Sequence, residues 1–391
     1  MDLSVVVPTL NGRAQLVRCL DALSAHAPRV EVVVVNGPST DGTTGMVRER
    51  DDVDVLVEIA DRNLNVARNA GIERARGEWI AFVSDEYSIE SGWFDALYEA
   101  SGVDEAEQPD SRFGRVLPDP LVAAAGTVVE TTRAIPIHAR RLAGRVRTGD
   151  RADDDASDDL DGNDETGDPD EGDAVAEGTG ESATDERSHV EPDGRTAGPP
   201  AVVTGPIHRE LTGGTTTQFA ESGSVAGRVV TYFNPDNVAV RRDALNDTDG
   251  FDEYLQVGGA RDLAHRLAAR EYPVTWEGRM CVRGEYGADG TGRDPRWSAR
   301  ALSYRLVKNY GLRPAVARRV GERLAGTGLA GVRDAIRGDV TLSEWFAGVR
   351  DVAWGVVLGA ADGLRARWRD RERHNPNGRS VRGDRAVTVY D

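Results

Sequence analysis

"VEVVVVNGPSTDGTTGMVRERD", residues 30–51, opens with five Val among its first six residues and then breaks into Asn36, Gly37, Pro38, Ser39 and Thr40. A half-buried strand alternates apolar and polar side chains. This run does not, so both of its faces are expected to be covered, as in a parallel sheet. The stretch from Thr40 begins a helix, with Thr40 or Asp41 able to cap it. Strand, polar loop and helix in that order make one half of a crossover unit.

The same unit recurs on either side. "LSVVVPTL" (3–10) is another unalternating strand, and "AQLVRCLDALSAH" (14–26) spaces Leu16, Leu20 and Leu23 as a helix does. "VDVLVEI" (53–59), "NVARNAGIERAR" (65–76) and "EWIAFVSDE" (78–86) continue as strand, helix and strand. The expected fold is α/β: a mostly parallel, Rossmann-like sheet with helices on both faces. Ligands of such sheets sit beyond the carboxyl ends of the strands. Here those ends are Pro8–Gly12, Asn36–Asp41 and Ser84–Glu86.

The charge is unevenly placed. Between Asp150 and Arg195 there are 19 Asp and Glu against 3 Arg, which is nearly all of the net −18. That stretch has no aromatic residue and is expected to be a disordered insertion, because it cannot bury enough surface to offset its ordering entropy. Lys308 is the one Lys among 48 basic residues, and with the acidic insertion this suggests a high-GC, high-salt organism. Nucleic acid is not an expected partner of the acidic half. Two distant cysteines, Cys19 and Cys281, argue against a disulfide framework and a thiolate zinc site. No leader and no run of about 20 apolar residues is visible, so a cytoplasmic protein is expected.

The expected organisation is a first half-domain over residues 1–148, with "LVAAAGTVVE" (121–130) as a further strand. The acidic insertion follows over 149–198, a second half-domain over 199–292, and an Arg-rich helical region over 293–391. In the second half, regular structure is expected from "GRVVTYFNPDNVAVRRDAL" (227–245), with a helix over 259–271 and one strand over 274–286. In the last region "WFAGVRDVAWGVVLGAADGLRARWRDR" sets Trp345, Phe346, Val349, Trp354, Val357 and Leu364 among Arg residues. Such a helix either lies in a membrane interface or packs on the domain before it.

Asp85 and Glu86 offer hard oxygen ligands suited to Mg²⁺ or Mn²⁺ holding substrate phosphates; the plain alternative is that they cap a turn. The dinucleotide and P-loop glycine fingerprints are absent from "PTLNGR". Taken in order, "VVVPTLN", "VVVVNGPSTDGT", "NVARNAGIERARGEWIAFVSDE" and "FNPDNVAVRRDALNDTDGFDE" resemble the family 2 glycosyltransferases of GT-A fold. The resemblance covers roughly residues 2–100 and 225–275. It implies a nucleotide-sugar donor, a divalent cation and inversion at the anomeric carbon.

Carried over position by position, Pro8, Thr9 and Asn11 match the family's first nucleotide-contacting loop. Asn36 stands where an Asp commonly reads the base, Asp41 matches the Asp of "STDGT", and Arg68 matches a basic contact near the nucleotide; its plain alternative is an exposed helix Arg. The D-x-D metal motif falls on Ser84, Asp85 and Glu86, so its first acid is lost and Glu86 takes the metal-contacting place. The acidic segment that supplies the base falls on "GGARDLAHRL", with Gly259 and Ala260 where the acidic pair belongs. Asp262 is then the expected base, the plain alternative being a helix cap. His265, one turn on, is a second candidate or a packed helix residue.

The chain also resembles the haloarchaeal subset of these enzymes, which implies a dolichol-phosphate-linked acceptor in N-glycan assembly at the cytoplasmic membrane face. Two other classes stay open: a non-catalytic GT-A-fold partner in a glycan-assembly complex, and a sugar-1-phosphate nucleotidyltransferase, which "PTLNGR" fits poorly.

Overall fold

The computed structural model describes residues 2–102, 199–211, 214–218, 221–285, 294–322, 324–325, 341–369 and 385–390. The expected strand over 121–130 and the acidic insertion lie outside them.

The valine runs form strands as their lack of alternation predicts. β1 (Leu3–Thr9), β2 (Glu31–Asn36), β3 (Val55–Ile59) and β4 (Trp79–Val83) are parallel neighbours in the order β4-β1-β2-β3. Successive residues of each strand serve opposite faces. Val5, Val7, Val32 and Val34 join one apolar cluster with Leu16, Cys19, Leu20 and Leu23 of α1 (Arg13–His26) and Trp93, Ala96 and Leu97 of α4 (Trp93–Ala100). Val6, Val33 and Val35 join the other, with Val66, Ala67 and Ala70 of α3 (Leu64–Arg74) and Ala260, Leu263 and Leu267 of α6 (Gly259–Ala269).

The sheet grows beyond the parallel core. β6 (Val202–Thr204), β11 (Asn237–Arg241) and β12 (Val274–Trp276) extend it past β4, with β11 antiparallel to both β4 and β6. The expected single strand over 274–286 is two: β12 and β13 (Val282–Glu285) belong to different sheets. β13 lies in a four-stranded sheet with β5 (Tyr87–Ile89), β7 (Ile207–Leu211) and β8 (Gly214–Gln218), while β9 (Glu221–Val225) and β10 (Arg228–Tyr232) form a hairpin. Regular structure therefore resumes at Val202, ahead of the expected Gly227.

The last region is not wholly helical. Ala386–Tyr390 is a strand, β14, antiparallel to β3 at the edge of the main sheet. Before it come α7 (Pro295–Tyr310), α8 (residues 314–322) and α9 (Leu342–Arg369). α9 runs parallel to α7 with its backbone close. A Cβ on Gly355, Gly359 or Gly363 would overlap the carbonyls of Arg296, Arg300 and Tyr304 in turn, so only glycine permits this approach. The opposite face of α9 leaves Phe346, Val349, Trp354, Val357, Leu364 and Trp368 exposed. The packing alternative holds on the glycine face of α9. No helix among the described residues is long and apolar enough to cross a membrane.

Two shorter helices complete the frame: α2 (Thr43–Arg48) after β2, and α5 (Arg242–Thr248) after β11.

Candidate functional site

The first two strand ends are tied together by side chains. Asn11, at φ 54°, donates its backbone N–H to Ser39 Oγ at 2.8 Å and accepts Thr40 N–H at 2.8 Å. Ser39 Oγ donates to Asn36 Oδ1 at 2.7 Å, and Asn36 Nδ2 donates to Thr44 Oγ1 at 2.9 Å. Asn36 is buried with both ends of its amide engaged. Asp41 accepts the backbone N–H of Arg13 at 3.0 Å and of Thr43 at 3.1 Å, so it joins the starts of α1 and α2. Its slight burial raises its pKa, but the Thr43 hydroxyl and these N–H groups outweigh that and hold the carboxyl below its usual range.

At the third strand end the acids gather. Asp85 is buried, accepting from Thr9 Oγ1 at 2.5 Å and from Ser84 Oγ at 3.3 Å. Burial pushes its pKa up to about 7; the Thr9 and Ser84 hydroxyls oppose this and the charge of Asp236 adds to it. No Lys or Arg bonds Asp85 among the described residues. Asp236 reaches this place through strand register. Asn237 of β11 faces Val83 of β4, so the residue before Asn237 comes beside the residue after Val83, which is Ser84. A carboxylate from the turn before β11 thus stands next to the position where the D-x-D motif has lost its own.

Arg68 is not an exposed helix residue. It is buried, and its Nη2 bonds Asp236 Oδ1 at 3.1 Å while the guanidinium lies 5.4 Å from the Phe251 ring. Pro8 pairs with Val35 in the sheet, and Thr9 with Asn36. Glu86 is half-buried beside this group. Pro8, Thr9, Asn11, Asn36, Asp41, Arg68, Asp85 and Glu86 therefore all lie at or behind one rim. Sequence reading missed Asp236, although "NPDNVAV" carries the same signal as Asp85: an acid abutting a buried apolar run.

Asp262 stands apart from them in its chemistry. It has no exposed surface, and its carboxylate binds Lys308 Nζ at 2.8 Å, Arg266 Nε at 2.8 Å and Asn309 Nδ2 at 2.8 Å. Burial pushes its pKa up, yet Lys308 and then Arg266 outweigh burial and hold it well below the usual carboxylate range. Lys308 also binds Asp252 Oδ2 at 2.5 Å. A carboxylate enclosed and neutralised in this way is a poor proton acceptor, which argues against the expectation that Asp262 acts as base. The missing acidic pair has a physical counterpart: a Cβ on Gly259 would overlap the Asn65 amide, which instead holds the carbonyls of Asp252 and Leu255. His265 is a packed residue, edge-on to Tyr232 and Tyr310, with Nδ1 2.8 Å from the Tyr310 hydroxyl. Burial first, and then Arg305, push its pKa down to about 3.

Residues 4–110 match Glycosyl transferase family 2. Glycosyltransferase GlyA of Streptococcus pneumoniae is 31% identical over 101 residues, covering 25% of this chain and 14% of that protein. Glycosyltransferase AglE of Haloferax volcanii is 30% identical over 111 residues, covering 26% of this chain and 36% of that protein. The chain therefore aligns with well under half of either relative. Among solved structures, S. aureus TarS 1–349 in complex with UDP-GlcNAc superposes with a TM-score of 0.50 at 14% identity, covering 95% of this chain and 92% of that one. The chain thus carries a segment, residues 4–110, similar to glycosyl transferase family 2, on a fold like that of TarS, the GT-A fold.

Proposed function

We propose that the protein moves a sugar from a nucleotide-activated donor to an acceptor hydroxyl, with the donor's diphosphate at the carboxyl ends of β1, β2 and β4. The carrying observation is the buried pair Asp85 and Asp236, brought together by the pairing of β11 with β4. The charge of Asp236 adds to burial in raising the pKa of Asp85, and a bound cation would reverse that. Their hard oxygens fit Mg²⁺ or Mn²⁺. Asp85, Glu86 and Asp236 would hold this cation, whose charge would neutralise the departing diphosphate. Thr9 orients Asp85 and Arg68 holds Asp236, while the Asn11, Asn36, Ser39 and Asp41 net fixes the loops that receive base and ribose. TarS was crystallised with UDP-GlcNAc, and the same donor class, a sugar on a nucleoside diphosphate, is the one carried over here.

We further infer an acceptor carried on lipid, a dolichol-phosphate-linked sugar of N-glycan assembly at the cytoplasmic membrane face, with transfer inverting the anomeric carbon. The exposed apolar face of α9 supports a membrane-surface contact, and the match to a Haloferax volcanii glycosyltransferase is in keeping with it.

One observation favours a second reading, a donor-binding partner without turnover. Asn65 fills the space beside Gly259, and Lys308, Arg266 and Asn309 enclose Asp262, so among the described residues the stretch matching the family's base segment offers no free carboxylate. Incubation with a panel of nucleotide sugars, with and without Mn²⁺ in high salt, separates the two. Release of nucleotide from one donor supports transfer; donor binding without release supports the partner reading; neither would sink both.

A further inference from the structure

We propose that a second anion site, separate from the donor site, lies where the C-terminal ends of α6 and α7 meet the β9–β10 turn, and that it takes a phosphate group. A pocket of about 680 Å³ opens there, within the size range of small-ligand sites. Its lining includes Arg228, Arg266, Arg270, Lys308, Arg313 and Arg367, with Glu271 the one acid among the lining residues.

Part of this charge has an ordinary use. Arg270 pairs with Asp247 at 2.9 Å, and Lys308 with Asp252 and Asp262. Arg367 Nη1 donates to the carbonyls of Lys308 and Asn309 at 3.0 and 3.1 Å, capping the end of α7. Cations at helix C-termini also balance the helix dipole.

Three features remain. Arg228 sits on β10, not at a helix end, with its guanidinium 5.4 Å from the Tyr310 ring and no carboxylate partner among the described residues. Arg313 is exposed and likewise has no carboxylate partner among them. Arg266 is 2% exposed; its Nε binds Asp262 and its Nη1 binds the Thr248 carbonyl, but its buried Nη2 has no hydrogen-bond partner among the described residues. A buried donor left unsatisfied costs free energy that an anionic oxygen would recover.

Guanidinium forks match the oxygens of a phosphate in geometry as well as charge, and several cations facing one cavity favour a ligand of more than one negative charge. The rim is apolar on one side: Val229 in the lining and Leu312 beside Arg313 are each 70% exposed. A phosphate borne on a lipid would lay its chain there, whereas a free phosphate would not need it.

The test uses the full chain without divalent cation or nucleotide. Calorimetric titration with inorganic pyrophosphate is expected to show one site, weakened at least about tenfold in the Arg228→Gln/Arg313→Gln double variant and unchanged in Asp85→Asn. The second arm is co-sedimentation with phosphatidic acid vesicles against phosphatidylcholine vesicles. Retention on phosphatidic acid alone, lost in the double variant and competed by pyrophosphate, supports the site and makes the phosphate a lipid's. Pyrophosphate binding with no vesicle retention supports it and makes the phosphate a soluble one. Failure of both probes, or binding that follows Asp85→Asn and ignores the double variant, overturns the proposal. The outcome does not depend on the donor-site reading, since neither transfer nor metal enters the measurement.

Discussion

Asp85 and Asp262 are both fully enclosed carboxylates, and their surroundings drive them in opposite directions. Asp85 has two hydroxyls and a second acid for company, and burial lifts its pKa to about 7. Asp262 has an ammonium, a guanidinium and an amide, and stays ionised far below the usual range. Burial is common to both; what differs is whether the protein supplies the counter-charge itself. Where it does, the acid is a structural brace. Where it does not, the place is open to a cation brought from outside.

The largest effect should come from removing the brace. Lys308→Met removes the ammonium shared by Asp252 and Asp262, and breaking a buried ion pair from one side costs about 3–5 kcal/mol. Urea denaturation reads this directly, and a loss below about 1 kcal/mol would dissolve the contrast between the regions. On the other side, Asp85→Asn should lower Mn²⁺-dependent turnover about a hundredfold or more while folding persists. Turnover intact beside lost stability would mean that Asp85 is a brace too.

Titration sharpens the same contrast. His265 is neutral in the fold and its pKa is depressed from 6.5 to about 3, so the unfolded chain takes up the proton first as pH falls. Its contribution is fully present above pH 6.5 and is lost below it, by about 2 kcal/mol at pH 5. Asp85 runs the other way: its raised pKa makes the fold bind the extra proton, so stability falls as pH rises from about 4 to 7. Each is best measured as a difference, wild type minus His265→Gln or minus Asp85→Asn, because the two trends oppose each other in the wild type. Parallel pH curves for wild type and His265→Gln would show that the histidine titrates as it does in water.

The smallest effect concerns the carboxylate supplied by the turn before β11. Asp236→Asn should cost about tenfold in turnover, and Ser84→Asp, which restores an acid at the neighbouring position, should recover part of it. Steady-state rates with saturating Mn²⁺ decide this. Full activity in Asp236→Asn would leave Asp85 and Glu86 as the whole metal set.

The valine strands and the helices between them were legible because their signal is local. Val32–Val35 needs no partner to declare that both faces are covered, and Leu16, Leu20 and Leu23 declare one helix face. β6–β9 were not legible. They are three to five residues long, several are rich in Thr, Ser and Gly, and β6 and β7 also pair with distant segments, β11 and β13. β14 escaped for the same reason: five residues in an Arg-rich tail acquire a structure only by lying along β3. In the candidate site, Asp85 and Glu86 were visible at a strand end, whereas Asp236 needed the register of β11 on β4.

From the sequence alone came the doubly covered parallel sheet, the rim on which ligands fall and the placing of nearly all the excess negative charge, since each depends on residues close together in the chain. Only the tertiary structure decided which enclosed acids are neutralised. Lys308 lies 46 residues from Asp262 and reaches it because α7 packs beside α6. Charge interactions depend on distance and burial, and packing alone sets both.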